Sequence, residues 1–261
     1  MSVLLIFVRL PLVVIWLVSS LLFVATVYPL SSLSMRNRMN RGWSRAIVAI
    51  CGVKTTVLGQ PTLKGSTLWV ANHVSWIDIF ILAGVRSVLF VAKSEIRSWP
   101  VVGWLVAKVG AVFLDRKQRN SLKVVGEEMK RRFAQGEVIG LFAEGTTSPG
   151  YDVLPFHSSL FDPAMRANVD IQPVALRFFY DGQRSDYAAF VGDETLVGNL
   201  WTLLGSTGIA VEVEFLPALE AATCQEMGRA DVSRHLHQAI GSTVRRGVTQ
   251  PESLGEIAPQ R

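Results

Sequence analysis

The chain has 261 residues, 49% of them hydrophobic and only 18% charged, which leans apolar against usual figures of about 45–50% and 25%. A mean hydropathy of +0.32 is high for a soluble protein, and the formal charge of +5 comes without aromatic residues interleaved in the basic runs, which counts against a nucleic-acid binder. The two cysteines, Cys51 and Cys224, lie far apart with no CxxC and no histidine at ligand spacing, which argues for reduced thiols and against a structural metal.

The apolar excess sits first at the N-terminus. From Leu10 to Leu30 no residue is charged, and as a helix this stretch would reach about 31 Å, enough for a bilayer core. Arg9 precedes it and Arg36, Arg38, Arg41 and Arg45 follow, an asymmetry that places the bulk of the protein on the cytoplasmic side of an inner membrane. A signal peptide is the rival reading and fits poorly: the run is too long, the basic cluster follows it, and no Ala-x-Ala site precedes a mature start. Next, Met39 to Cys51 puts Trp43, Ala46, Ile47 and Ile50 on one helical side, the pattern of an amphipathic helix at a membrane surface or of an ordinary helix packed on a domain.

After residue 53 the pattern alternates. Strand-like runs are predicted at Lys54–Leu58, Thr67–Ala71, Val88–Ala92, Ala111–Leu114, Val138–Phe142, Ile171–Phe179 and Ile209–Leu216. Helix-like runs are predicted at Asp78–Val85, Pro100–Lys108, Ser121–Gln135, Leu196–Leu204 and Ala230–Val244. This alternation predicts an α/β domain over residues 54–247, a mostly buried central sheet flanked by helices, preceded by a membrane anchor over 1–53 and followed by a loose tail over 248–261. His235 and His237, two apart on the last helix, face different sides and read as solvated.

Three strand ends carry polar clusters, and in α/β sheets ligands sit beyond such ends. The first follows Thr67–Ala71 and reads Asn72-His73-Val74-Ser75-Trp76-Ile77-Asp78, where Asp78 is the first acidic residue of the chain. Ser75 as N-cap and Asp78 in the first turn predict a helix start. On one continuous helix His73 and Asp78 would point about 140° apart, so they converge only if His73 lies in the turn before it. Converged, Asp78 fixes the imidazole tautomer and His73 can act as a general base; alone, the pair is equally an ordinary helix cap beside a satisfied histidine. The second cluster is Asp115-Arg116, where Arg116 is either a phosphate clamp or half of a surface ion pair. The third is Glu144-Gly145-Thr146-Thr147-Ser148, a turn presenting a carboxylate and hydroxyls, or a plain polar loop.

In this order the blocks resemble the lysophosphatidate (1-acylglycerol-3-phosphate) acyltransferase family: Asn72–Asp78 for its Asn-His-x-x-x-x-Asp, Gly110–Arg116 for its Gly-x-x-Phe-x-x-Arg, Phe142–Ser148 for its Phe-Pro-Glu-Gly-Thr-Arg-Ser, and Ile171–Ala175 for its short run with Pro. The resemblance implies that His73 deprotonates the hydroxyl of a lysolipid with Asp78 orienting the ring, that Arg116, Glu144, Gly145 and Thr146 position the acceptor head group, and that an N-terminal helical pair anchors the enzyme. The acyl donor it implies is coenzyme A or acyl-carrier protein thioester, a substrate rather than a cofactor, and no metal is called for. Three departures stand out. Thr147 replaces the usual Arg and Ala143 the usual Pro, and His157 stands where relatives often carry Lys or Arg. A Glu-Gly-Thr-Thr ending with Pro155-Phe156-x-Ser158-x-Leu160 also resembles the branch that acylates lyso-ornithine lipids, whose head group carries amino and carboxylate groups instead of phosphate.

Around the predicted site Lys93, Arg97, Lys108, Arg116, Lys117, Arg119 and Lys123 would attract anionic head groups and an acidic carrier protein. Trp76, Phe80, Trp99 and Trp104 are candidates for a water-excluding cleft, or plain core. A lipid-ester hydrolase would need a nucleophile, and no Gly-x-Ser-x-Gly elbow is present; a non-catalytic membrane scaffold would not need the His73–Asp78 pair.

Overall fold

The computed structural model describes residues 2–115 and 121–248. Two N-terminal helices, α1 (Val3–Thr26) and α2 (Leu33–Ile50), precede an α/β domain. Its chain runs β1 (Lys54–Gly59), β2 (Thr67–Ala71), α3 (Ile77–Val85), β3 (Val88–Lys93), α4 (Val102–Lys108), β4 (Val112–Leu114), α5 (Ser121–Ala134) and β5 (Val138–Phe142). It continues through α6 (Asp162–Arg166), β6 (Ile171–Tyr180), β7 (Gln183–Arg184), α7 (Leu196–Leu204), β8 (Ile209–Phe215), α8 (Ala221–Met227) and α9 (Arg229–Val244). Every strand and helix expected in the domain is present, with ends shifted by one or two residues. The short β7, α6 and α8 were not anticipated, because pieces of two to seven residues carry too few apolar positions to show a period.

The strands form one sheet in the order β1-β8-β6-β2-β5-β3-β4, with β7 added to β6. β2, β5, β3, β4 and β6 are parallel neighbours, so their carboxyl ends emerge along one edge, while β8 runs antiparallel to β6. β2 and β5 are buried at every residue, as expected of parallel strands covered on both faces. Successive side chains of β2 go to opposite sides: Trp69 and Ala71 join Ile47, Ile77 and Leu203, whereas Leu68 and Val70 join Met129, Phe161 and Ile240. Gly140 is required in β5, because a Cβ there would overlap the Phe90 ring.

The N-terminal segment departs from expectation in three respects. The helix starts at Val3 and ends at Thr26, so Arg9 lies inside it rather than flanking it. The Arg9 guanidinium donates to the carbonyls of Leu203, Leu204 and Ser206 at 3.4, 3.1 and 2.7 Å, capping the C-terminal end of α7 and the turn after it. The predicted apolar side of α2 is also redistributed: Ile47 is buried with Val48 against the domain and Ala46 is exposed. Trp43 instead stacks on Phe23 of α1 at 5.3 Å and donates to Ser20 Oγ. α2 is thus a packed helix between α1 and α3. α1 remains long and apolar enough to cross a membrane, and Phe7, Ile15 and Leu22 point outward. The predicted tail lies outside the described residues apart from Val248.

Candidate active site

Sheet register creates the site. Ala71 of β2 pairs with Phe142 of β5, so His73 and Glu144 each stand two residues beyond the same row. His73 occupies the turn between β2 and α3, where its Nδ1 lies 2.9 Å from Asp78 Oδ2. The same oxygen accepts the backbone N–H groups of Val74 at 2.7 Å and Ser75 at 2.9 Å. An oxygen already receiving two N–H donors is an acceptor toward the third, so Nδ1 carries the ring proton and Nε2 the lone pair. Nε2 has no hydrogen-bond partner among the described residues, and the side chain is 17% exposed. Phe142 stacks on the imidazole at 3.9 Å and 9°, and Phe90 stacks on Phe142 at 5.3 Å and 8°, which fixes the ring plane.

The predicted cap forms only in part. Trp76, not Ser75, occupies the N-cap position of α3, although Asp78 reaches back to the Ser75 N–H as the acidic half of a capping box would. The Ser75 hydroxyl turns instead to Asn199 Oδ1 at 3.3 Å, and Trp76 Nε1 donates to that same oxygen at 2.9 Å. Asn199, fully buried on α7, donates in turn to Ala189 O and Glu194 Oε2. Nothing local ties it to the site: Trp76 and Ser75 lie 123 and 124 residues away. Asn199→Ala strips two donors of their acceptor; we expect a loss of about 2 kcal/mol in stability and a fall in kcat larger than any rise in KM, read by thermal melts and steady-state kinetics.

The Glu144 turn supports the histidine from the neighbouring strand. Its buried carboxylate accepts the His73 N–H through Oε1 and the Leu154 N–H through Oε2, both at 2.8 Å. Burial pushes the Glu144 carboxyl above its ordinary range, opposed by those two N–H bonds and the nearby His73. Gly145 follows with φ of 70°, a left-handed turn closed by its N–H on Phe142 O. The Ser148 N–H returns to His73 O at 2.8 Å. Asn72 ties the other flank, exchanging two hydrogen bonds with the backbone of Leu176 on β6.

The other predicted positions separate. Arg116, with Lys117 and Arg119, lies outside the described residues. Thr146 is exposed on the turn, whereas the Thr147 hydroxyl is bonded to Phe190 O. His157 is exposed, and its N–H closes the following loop onto Ala143 O. Lys108 is displaced from the site: it ends α4 just before β4 begins, and lines a cavity with Tyr28 and Glu137 at the opposite sheet edge. Trp76 and Phe80 pack edge-to-face with one another and Phe80 with Trp16 of α1, so they join the core, while Trp99 and Trp104 stay about 40% exposed. His237 meets the Phe156 ring edge-on at 5.1 Å rather than standing in solvent.

Residues 54–177 match the family model named Acyltransferase. The chain is 34% identical over 206 residues to a lyso-ornithine lipid O-acyltransferase of Pseudomonas aeruginosa, covering 79% of this chain and 78% of that one. It is 34% identical over 243 residues to a lyso-ornithine lipid O-acyltransferase of Rhizobium meliloti, covering 87% and 82%. A 1-acyl-sn-glycerol-3-phosphate acyltransferase of Neisseria meningitidis is 31% identical over 193 residues, covering 73% and 75%. The fold is similar to the crystal structure of the 1-acyl-sn-glycerophosphate acyltransferase of Thermotoga maritima, with a TM-score of 0.67 at 20% identity, covering 93% and 94%.

Proposed function

The chain belongs to the acyltransferase family, and from that premise we propose that it moves a fatty acyl group from a coenzyme A or acyl-carrier-protein thioester to the free hydroxyl of a lysolipid. The observation that carries this is the His73–Asp78 pair, with Nδ1 committed to the carboxylate and Nε2 open at the edge of the sheet. Nε2 takes the hydroxyl proton as the acceptor oxygen attacks the thioester carbonyl. Collapse of the tetrahedral adduct breaks the carbon–sulfur bond, and the imidazolium returns the proton to the departing thiolate. No side-chain nucleophile takes part, so no acyl-enzyme accumulates. Glu144 and Ser148 act here by holding the His73 backbone, Asn72 by tying the residue before it to Leu176, and Arg116 and the exposed Thr146 are the groups proposed to meet the head group. The apolar α1 followed by an Arg-rich helix supports an inner-membrane location with the domain on the cytoplasmic side.

The resemblance puts 1-acylglycerol-3-phosphate first as acceptor and lyso-ornithine lipid second. Two observations favour the second. Thr147 occupies the position of the expected phosphate-binding Arg and its hydroxyl is committed to Phe190 O, and the two lyso-ornithine lipid enzymes named above match over longer stretches. The test offers lysophosphatidate and lyso-ornithine lipid side by side with both thioesters. We expect the ornithine acceptor to be preferred, and Thr147→Arg to shift the ratio of kcat/KM toward lysophosphatidate by about tenfold, the worth of one charge-assisted contact. Equal use of both acceptors by wild type and variant would remove Thr147 from head-group selection.

A further inference from the structure

At the sheet edge opposite His73, two adjoining cavities of about 310 and 210 Å³ open between α2, the start of β3, the end of α4, the end of α5 and the start of β5. They share Asn37, Leu89 and Glu137, and the larger is of a size typical of small-ligand sites, about 300–1,000 Å³. Six cationic side chains line them, Arg36, Arg41, Arg86, Lys108, Arg131 and Arg132, against the one carboxylate of Glu137. Arg131 and Arg132 are paired with Glu128, whose carboxyl they hold down to about 2, and Arg132 also meets Glu137. The other four have no carboxylate partner among the described residues. The walls therefore hold an uncompensated positive charge that the acyl-transfer site, some five residues of strand and about 16 Å away, does not use.

The apolar part of the lining tells what kind of anion fits. The larger cavity is lined by Tyr28 and Leu33 as well as by its cations, and the turn between α1 and α2 carries Leu30, 89% exposed, and Leu33, 42% exposed. Cations beside bare leucines at the tip of an apolar helical hairpin, Lys108 and Arg131 exposed and Arg36 and Arg41 half-buried, match a molecule with a charged head and an apolar body. We propose that this groove binds the phosphate of an anionic phospholipid from the surrounding bilayer, as a site separate from that of the acceptor. The proposal rests on the reading that α1 meets the membrane. Arg41, which lines the smaller cavity, and Lys108, which lines the larger, supply the charge, and Asn37 lines both.

The test is thermal unfolding of the full chain in nonionic detergent, with phosphatidylglycerol or phosphatidylcholine added to the micelles. Phosphatidylglycerol should raise Tm by roughly 5 °C when saturating and phosphatidylcholine should not. Arg41→Ala and Asn37→Asp should each lose at least half of that shift, while Arg38→Ala, an exposed arginine of the same helix outside the groove, should keep it. An equal loss in Arg38→Ala would mean diffuse surface charge and overturn the site, as would a full shift surviving in Asn37→Asp or no shift in wild type. Soluble glycerol phosphate producing the shift by itself would assign the groove to a free phosphate and overturn the lipid. Because the readout is stability, it stands whether or not acyl transfer is detected, which separates its failure from failure of the catalytic reading.

Discussion

His73→Ala is expected to lower kcat by about 10²–10⁴ with little change in the melting temperature. The ring is partly exposed, and its removal leaves Asp78 Oδ2 still bonded to the Val74 and Ser75 N–H groups, so the turn keeps its shape. Asp78→Asn should be milder. An amide oxygen can accept the same three donors and hold the same tautomer, but it offers no charge to the imidazolium formed during transfer, a loss of about 1.5–3 kcal/mol, or roughly 10–10² in rate. Mass spectrometry of the wild type after incubation with acyl thioester alone should show no covalent adduct. A His73→Ala protein retaining wild-type turnover, or a stable acyl adduct, would sink general-base catalysis.

The second large effect is expected at Glu144. Both carboxylate oxygens accept backbone N–H groups, a geometry open only to the ionised side chain. Glu144→Gln turns an NH₂ against one of those donors, leaves it unsatisfied in a buried place, and should cost about 1–3 kcal/mol. Displacement of the His73 backbone should lower kcat by up to about 10². The pH dependence has a defined sign. Burial raises this carboxyl above its ordinary value of 4.5, so the folded protein takes up the proton at a higher pH than the unfolded chain. This group's contribution to stability is therefore complete below 4.5 and is lost as pH rises through the folded value. Activity needs the ionised form and should move the other way, failing on acidification at a pH above the usual glutamate range. Glu144→Gln should remove this group's share of both trends. With kcat and Tm measured against pH in both proteins, the wild-type profiles should differ in shape from those of the variant; identical profiles in the two would exclude the ionised Glu144 as the support of His73.

How much was legible divides along the range of the forces involved. The apolar runs that became β2, β5 and β6 declared themselves because burial on both faces demands unbroken hydrophobic sequence. The His73–Asp78 pair was readable because five residues joining a strand to a helix leave one way for both side chains to meet. The same local rule failed at Ser75, where Asn199 competes for the hydroxyl from 124 residues away. Arg9 was misjudged for a similar reason: as a charge beside an apolar run it reads as a membrane flank, but the C-terminal carbonyls of α7 offer it hydrogen bonds that no neighbouring residue reveals.

The sequence by itself determined the longer elements, the meeting of His73 with Asp78 and the apolar N-terminal helix, each a matter of periodicity or of spacing within a few residues. Only the tertiary structure decided that β5 lies between β2 and β3, which sets Glu144 level with His73, that Asn72 is bound to Leu176, and that the cations of α2, α4 and α5 gather in one groove. Strand order and helix packing are chosen by burial summed over the whole core, and groups brought together by that sum share no local pattern from which their meeting could be read.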